Sequence, residues 1–238
     1  MILLRARNAS SWTGPTGNNT YLLRGRVPAL IDAGVGDPAH VQELADHLDG
    51  AALALVLITH GHVDHVSGIP ALVQRWPTLR VVRAADAGVE PIAAGDTGLR
   101  PIPTPGHAPD HMCFFDEQSR DMFCGDLLRA DGTIVIPASK GGHMGQYLAS
   151  LRLIRDLRPG RLLPGHGPIV TDPASLIARY LRHREERESQ VLDALRAGAR
   201  TPQEIVARIY GGLPATLIAA AEDSVRAHLV KLEEEGRA

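Results

Sequence analysis

Apolar and polar positions along this chain fall into runs short enough to be strands, set between clusters of turn-forming residues. Three such runs open the sequence, at 2–6, 20–24 and 29–32, and the turns between them, rich in Gly, Pro and Asn, predict an antiparallel meander. Asp37-Pro38 then supply a helix cap and a first-turn proline, with Val41, Leu44, Ala45 and Leu48 after them at helical spacing. The run 53–58 contains no polar residue, which is the pattern of a strand covered on both faces. Helices are expected over 68–75 and 147–157, and further strands over 80–83, 112–115, 121–124 and 161–163. Strands and helices alternate, with hairpin-like pairs among them, so the fold class is α/β with mixed sheets flanked by helices.

From Asp172 the composition shifts to helix formers, which divides the chain into a domain over 1–171 and a tail over 172–238. Asp172-Pro173 open a first tail helix that runs through the charged segment 179–187. Thr201 and Glu204 fit a capping box for a short second helix ending at Tyr210. A third helix begins after Pro214, carrying Leu217, Ala221, Val225, Leu229 and Leu232 on one face and Gly236 at its end. Three helices in this order suggest a helix-turn-helix-type module, and the two residues after Gly236 leave no strand for a wing.

Composition narrows the classes of function. With 44% hydrophobic and 22% charged residues in 238, the chain is neither disordered nor fibrous. Twenty-five basic against 27 acidic side chains give a formal charge of −2, so no global basic field draws it to nucleic acid or to a membrane. Its longest apolar stretch, 51–58, is too short to span a bilayer, and the opening residues lack the apolar core of a secretion signal. Cys113 and Cys124 are too few for a disulfide framework, and cytoplasmic localisation is expected. Within the tail, 10 basic residues face 11 acidic ones with only Tyr180 and Tyr210 as aromatics, so packing or homodimerisation competes with strand binding as its role.

The chemistry concentrates in Thr59-His60-Gly61-His62-Val63-Asp64-His65, directly after the all-apolar run. His60 and His62, two apart in extended backbone, project to one side, and the turn after them brings Asp64 and His65 to a second position. Further donors stand in glycine-containing loops after strand-like runs: His107 in Pro105-Gly106-His107, Asp126 in Cys124-Gly125-Asp126, and His166 in Pro164-Gly165-His166-Gly167. Seven imidazole and carboxylate donors are enough for two divalent transition metal ions; zinc is the expected ion, with iron and manganese as alternatives.

Together with Ile31-Asp32-Ala33-Gly34, these motifs resemble the metallo-beta-lactamase superfamily over residues 17–168. That resemblance implies a four-layer αββα sandwich with the metals at one edge. It also implies one metal on His60, His62 and His107, another on Asp64, His65 and His166, Asp126 bridging the two, and Asp32 orienting a ligand from behind. A bridging Asp126 sets the chain apart from the lactamase branches, so that beta-lactam hydrolysis by this chain would be at most promiscuous, and is similar to that of glyoxalase II and RNase Z types. A narrower resemblance, through Gly17-Asn18-Asn19-Thr20-Tyr21, the stretch 104–112 and the tail, is to the beta-lactamase-like protein 2 group, which implies a C-terminal winged-helix-like domain and single-strand endoribonuclease activity. The expected function is therefore a dinuclear-metal-dependent hydrolase, with Asp64 and Asp126 catalytic, that uses a metal-bridging hydroxide on an ester-type or phosphodiester bond. The partner is a small-molecule ester, a glyoxalase II-like thioester or single-stranded RNA. His111 is a candidate for support from behind the ligands, and Asn19, Lys140 and His143 are candidates for contact with substrate.

Overall fold

A computed structural model describes residues 1–238. The opening runs become β1 (Ile2–Arg5), β2 (Asn19–Leu23) and β3 (Ala29–Ile31), paired antiparallel in that order. Asp37 caps α1 (Pro38–Leu48) by accepting from the amides of Ala39 and His40, and α1 carries the chain to β4 (Leu55–Leu57), parallel to β3. The short α2 (Val63–Val66) and α3 (Ile69–Arg75) then lead to β5 (Arg80–Val82), parallel to β4.

The second sheet contains β6 (Ile92–Ala94), β7 (Thr97–Pro103), β8 (Met112–Asp116) and β9 (Asp121–Gly125), joined through α4 (Met144–Leu157) to β10 (Arg161–Pro164). Its order is β10-β9-β8-β7-β6, antiparallel except where β10 lies parallel to β9.

Strand alternation sorts the apolar side chains into layers. Tyr21, Leu23, Ile31, Leu55 and Leu57 face the second sheet and meet Leu99, Met112, Phe114, Phe123 and Leu163. Their neighbours Leu22, Leu30 and Val56 face outward and pack under α1 and α3 against Leu44, Leu48, Leu72 and Trp76. That is why 53–58 is apolar without interruption. The outer face of the second sheet, with Phe115, Met122 and Leu162, is covered by Tyr147, Leu151 and Ile154 of α4 and by Ile177 and Tyr180 of α5 (Pro173–Arg196). The result is an αββα sandwich, as the resemblance implied. Cys113 and Cys124 are free and buried in the same layer, where burial pushes both thiols up.

Two strands, β6 and β7, were not legible in the sequence. Pro101 and Pro103 argue against a strand between two partners, but β6 pairs only with Thr97 to Leu99 of β7. Beyond Leu99, β7 has β8 alone as partner, and prolines without an amide hydrogen are tolerated on that open side.

The tail contains α5, α6 (Pro202–Ile209) and α7 (Ala215–Glu234), with no strand among them. Thr201 and Glu204 form the capping box that opens α6. A boundary at 172 falls at the start of a shared helix. Leu176, Ile177 and Tyr180 at the beginning of α5 belong to the core of the sandwich, whereas Val191 and Ala194 belong to the tail's own core with Ile205, Val206, Val225 and Leu232. No helix is long and apolar enough to cross a membrane.

Candidate metal centre

The side chains that carry the chemistry converge because the strands that precede them end at one edge of the sandwich. β4 leads to His60 and then to α2, which carries Asp64 and His65; β7, β9 and β10 lead to His107, Asp126 and His166. Their donor atoms form three overlapping groups, each within 4.8 Å: His60, His62 and His107; His60, His65 and Asp126; Asp64, His65 and His166. His62 Nδ1 lies 3.0 Å from Nε2 of both His60 and His107. Asp126 reaches both halves, with Oδ1 3.3 Å from His166 Nε2 and 3.5 Å from His65 Nε2, and Oδ2 3.7 Å from His107 Nε2. Asp64 Oδ2 is 3.4 Å from His166 Nε2.

Hydrogen bonds behind the cluster assign the tautomers. Asp32 Oδ1 accepts from the Thr59 amide at 2.8 Å, and Oδ2 accepts from Thr59 Oγ1 at 2.9 Å and from His65 Nδ1 at 2.7 Å. Having donated to Asp32, the Thr59 hydroxyl accepts from His60 Nδ1 at 3.1 Å. His107 Nδ1 donates to the Val135 carbonyl at 2.8 Å. The rings of His60 and His107 therefore turn an Nε2 lone pair toward the cluster, and His65 presents its Nε2 edge to it. At most one proton is left to share among the nitrogens of His60, His62 and His107 that converge there.

Charge does not supply the missing partner in that half. Burial, reinforced by neighbouring histidines, lowers the pKa of His60, His62 and His107, that of His62 to about 4. In the other half burial opposes the imidazolium of His65, but the Asp32 and Asp126 carboxylates outweigh it and raise the pKa well above the ordinary value. His166, opposed by burial and favoured by Asp126 and Asp64, rises to about 9. Asp126 Oδ1 and His166 Nδ1 remain buried without a hydrogen-bond partner. Converging lone pairs, an orphaned carboxylate oxygen and a nitrogen-oxygen donor set fit divalent transition metals in both halves.

Glycines let the backbone come this close. A Cβ at Gly165 would stand 2.7 Å from both Asp126 Oδ1 and His65 Cε1, so any side chain there would enter the cluster.

The remaining sequence-predicted residues divide. His111 accepts the Asp126 amide on Nε2 at 3.2 Å and meets Thr104 Oγ1 through Nδ1 at 2.8 Å, which fixes the start of the Asp126 loop and leaves no proton for a leaving group. Asn19 is not a substrate contact. Its amide nitrogen donates to the carbonyls of Pro164 and Gly167 at 2.7 and 2.9 Å, and its oxygen accepts from Arg5, so it ties β2 to the His166 loop. His143 likewise does not reach the cavity: Nδ1 caps α4 by accepting the Gln146 amide, and Nε2 lies 3.0 Å from Glu234 of α7. Lys140 does line it.

Asn18, rather than its neighbour, touches the cluster, its Nδ2 3.0 Å from Asp64 Oδ2, and it is held by a two-way hydrogen bond with Asn8. The Gly17-Asn18-Asn19 motif was the available signal, but a turn asparagine usually serves backbone conformation. The Val135 carbonyl had no signal at all, since a backbone acceptor leaves no mark in the sequence.

The cluster forms the floor of a cavity of about 470 Å³. Trp12, Ile134, Val135, Pro137, Leu217 and Ala220 give it apolar walls, and Arg129, Lys140 and Asp223 are its charged lining above the cluster. Arg129 is paired with Asp131 and Asp223 with Arg226, whereas Lys140 has no acidic partner.

An αββα sandwich with a histidine and aspartate cluster at the strand ends defines a class of metal-dependent hydrolases. The chain belongs to the metallo-beta-lactamase superfamily, whose family model matches residues 13–91 and 87–166, and a beta-lactamase associated winged helix domain matches 201–238. Among curated relatives, an atrochrysone carboxyl ACP thioesterase of Aspergillus chevalieri is 35% identical over 218 residues, covering 83% of this chain and 69% of its own length. A beta-lactamase-like protein 2 homolog of Drosophila melanogaster is 31% identical over 253 residues, covering 93% of this chain and 84% of its own. A solved beta-lactamase domain protein from Burkholderia ambifaria superposes with a TM-score of 0.85 at 21% identity, over 98% of this chain and 86% of that one.

Proposed function

We propose that the chain is a dinuclear metal-dependent hydrolase of carbonyl esters, thioesters in particular. One metal would be held by His60, His62 and His107, the other by Asp64, His65 and His166, with Asp126 between them. The observation that carries this reading is the placement of Asp126, whose two oxygens reach the two halves separately. When bound, two such ions supply Lewis acidity and bring the pKa of water toward neutrality.

The residues of the chain supply the rest. Burial opposes ionisation of Asp126, but the charges of His166 and His65 outweigh it and hold its carboxyl well below the usual range. Asp64 is likewise held low, against burial, by His166 and His65. Both carboxylates therefore stay ionised at neutral pH, the form in which they can hold a metal and orient an attacking water. Asn18 fixes one oxygen of Asp64, so the orientation is set before substrate arrives.

Two features favour a thioester over RNA. With both nitrogens of His111 engaged, the site favours a leaving group that departs as an anion, and a thiol with a pKa of about 8.5 does so far more readily than an alcohol. The walls are mostly apolar with a single unpaired cation, Lys140, placed to meet an anionic group on the substrate, whereas a strand binder needs a basic groove with stacking platforms.

The test is parallel assay of metal-loaded wild type and Asp126→Ala on an acyl thioester, an ester, a model phosphodiester, single-stranded RNA and a lactam, with metal content measured on the same samples. Thioester turnover that is lost in the variant is the expected result. RNA cleavage without thioester turnover would make the chain a nuclease, and less than one equivalent of metal would remove the dinuclear reading.

A further inference from the structure

The cavity wall opposite in chemistry to the metal cluster is built by the tail. Leu217, Ala219, Ala220 and Asp223, all in the first turns of α7, line the same cavity as His62, Asp64, His107, Asp126 and His166. This part of α7 is not needed for the tail's own core, whose α7 members are Val225 and Leu232 with Ala221 and Leu229 packed against them. Leu217 is 40% exposed, and Trp12, which also lines the cavity, is 58% exposed. Large apolar side chains left open around one cavity mark a binding surface.

The wall is fixed in place. Ser139 donates to Asp223 at 2.6 Å, Ala227 is buried in the core of the sandwich, and His143 meets Glu234. Trp12 is held on its side as well. Ser10 Oγ accepts the amides of Trp12 and Thr13 in a tight turn, and Arg129 donates to the Trp12 carbonyl at 3.3 Å. The alanines between Leu217 and Asp223 leave the space that a substrate would fill.

We infer that α7 is the specificity wall of the enzyme, selecting thioesters whose acyl part is an extended apolar group that lies against Leu217, Ala220 and Trp12. This rests on the thioesterase reading and adds the acyl class to it. Each methylene fully buried against such a wall improves kcat/KM by about fourfold until the space is filled.

The experiment measures kcat/KM for acetyl, butyryl, hexanoyl and decanoyl thioesters of N-acetylcysteamine. Wild type is expected to prefer hexanoyl over acetyl by tenfold or more. Leu217→Asp should flatten the series, and Ala220→Phe should move the optimum to a shorter chain. Val230→Asp, which places the same charge on an exposed position at the far end of α7, should keep the wild-type ratio. Leu217 lies outside every core cluster, so an unchanged melting temperature is expected for its variant. A flat series in wild type, or a wild-type ratio in Leu217→Asp, overturns the wall while leaving metal-dependent acetyl thioester turnover, and with it the thioesterase reading, intact. Absence of turnover on any thioester overturns both.

Discussion

Replacing Asp32 by Asn tests whether one carboxylate behind the cluster sets two of its ligands. Asp32 accepts three hydrogen bonds, from the Thr59 amide, the Thr59 hydroxyl and His65 Nδ1, at 2.7 to 2.9 Å. Asparagine has one acceptor oxygen in place of two and brings an NH2 that must face a donor. If its oxygen keeps the Thr59 amide, the NH2 faces His65 Nδ1, which must then accept, and the ring proton moves to Nε2 where the metal would bind. The Thr59 hydroxyl also loses its acceptor, so its hold on His60 Nδ1 weakens. The backbone does not confound the test, because Asp32 has a φ of 59° and asparagine tolerates that left-handed conformation well. Loss of such a supporting partner lowers metal affinity by about 10- to 100-fold, or about 1.4–2.8 kcal/mol. Zinc titration in competition with a chromophoric chelator should show the weaker step at the His65 half, with circular dichroism unchanged. Wild-type affinity in both steps would refute the argument that Asp32 sets the tautomer.

Three further outcomes are expected. Gly165→Ala should fold but bind about one equivalent of metal in place of two, by elemental analysis, because the new methyl would stand 2.7 Å from Asp126 Oδ1 and His65 Cε1. Chelation of the metal-loaded enzyme should abolish hydrolysis and re-addition of zinc, iron or manganese should restore it, the ion giving the highest kcat/KM identifying the working metal. His228 in α7 is buried with both nitrogens unpartnered, and burial, with Arg184 and Lys231 nearby and despite Glu188 at 4.0 Å, lowers its pKa to about 3. The unfolded chain takes up this proton below about pH 6.5 and the folded chain does not, so the stability His228 contributes is complete above that pH and declines as pH falls toward 3. His228→Leu should therefore lose about 2 kcal/mol less than wild type between pH 7 and pH 5, read from urea unfolding.

Much of the site was legible because its donors are side chains in local motifs. The His60-to-His65 run sits after an unbroken apolar strand, and the end of a strand directs the residues next in the chain toward one edge of the sheet. His107, Asp126 and His166 each come directly after a glycine, and Asp126 and His166 stand at the close of a strand-like run. The unbroken apolar run 53–58 announced a strand covered on both faces, and alternate side chains of β4 do face the second sheet and the helices. The cap at Asp37, the capping box at Thr201 and the three tail helices arise from local rules of the same kind.

Tertiary structure alone decided the rest, because it depended on contacts between distant segments. Nothing in 92–103 announces β6 and β7, since the prolines of β7 are permitted only by where β6 stops. Whether Asn18 or Asn19 faced the cluster turned on which of two adjacent side chains the β2 pleat directs toward Asp64, and a one-residue step in a strand exchanges the two faces. The role of His143 was set by Glu234, 91 residues away. Most of all, a tail that by its own charge and composition looked like a separate module proved to wall the cavity, because α5 is shared between two cores and brings α7 back over the strand ends.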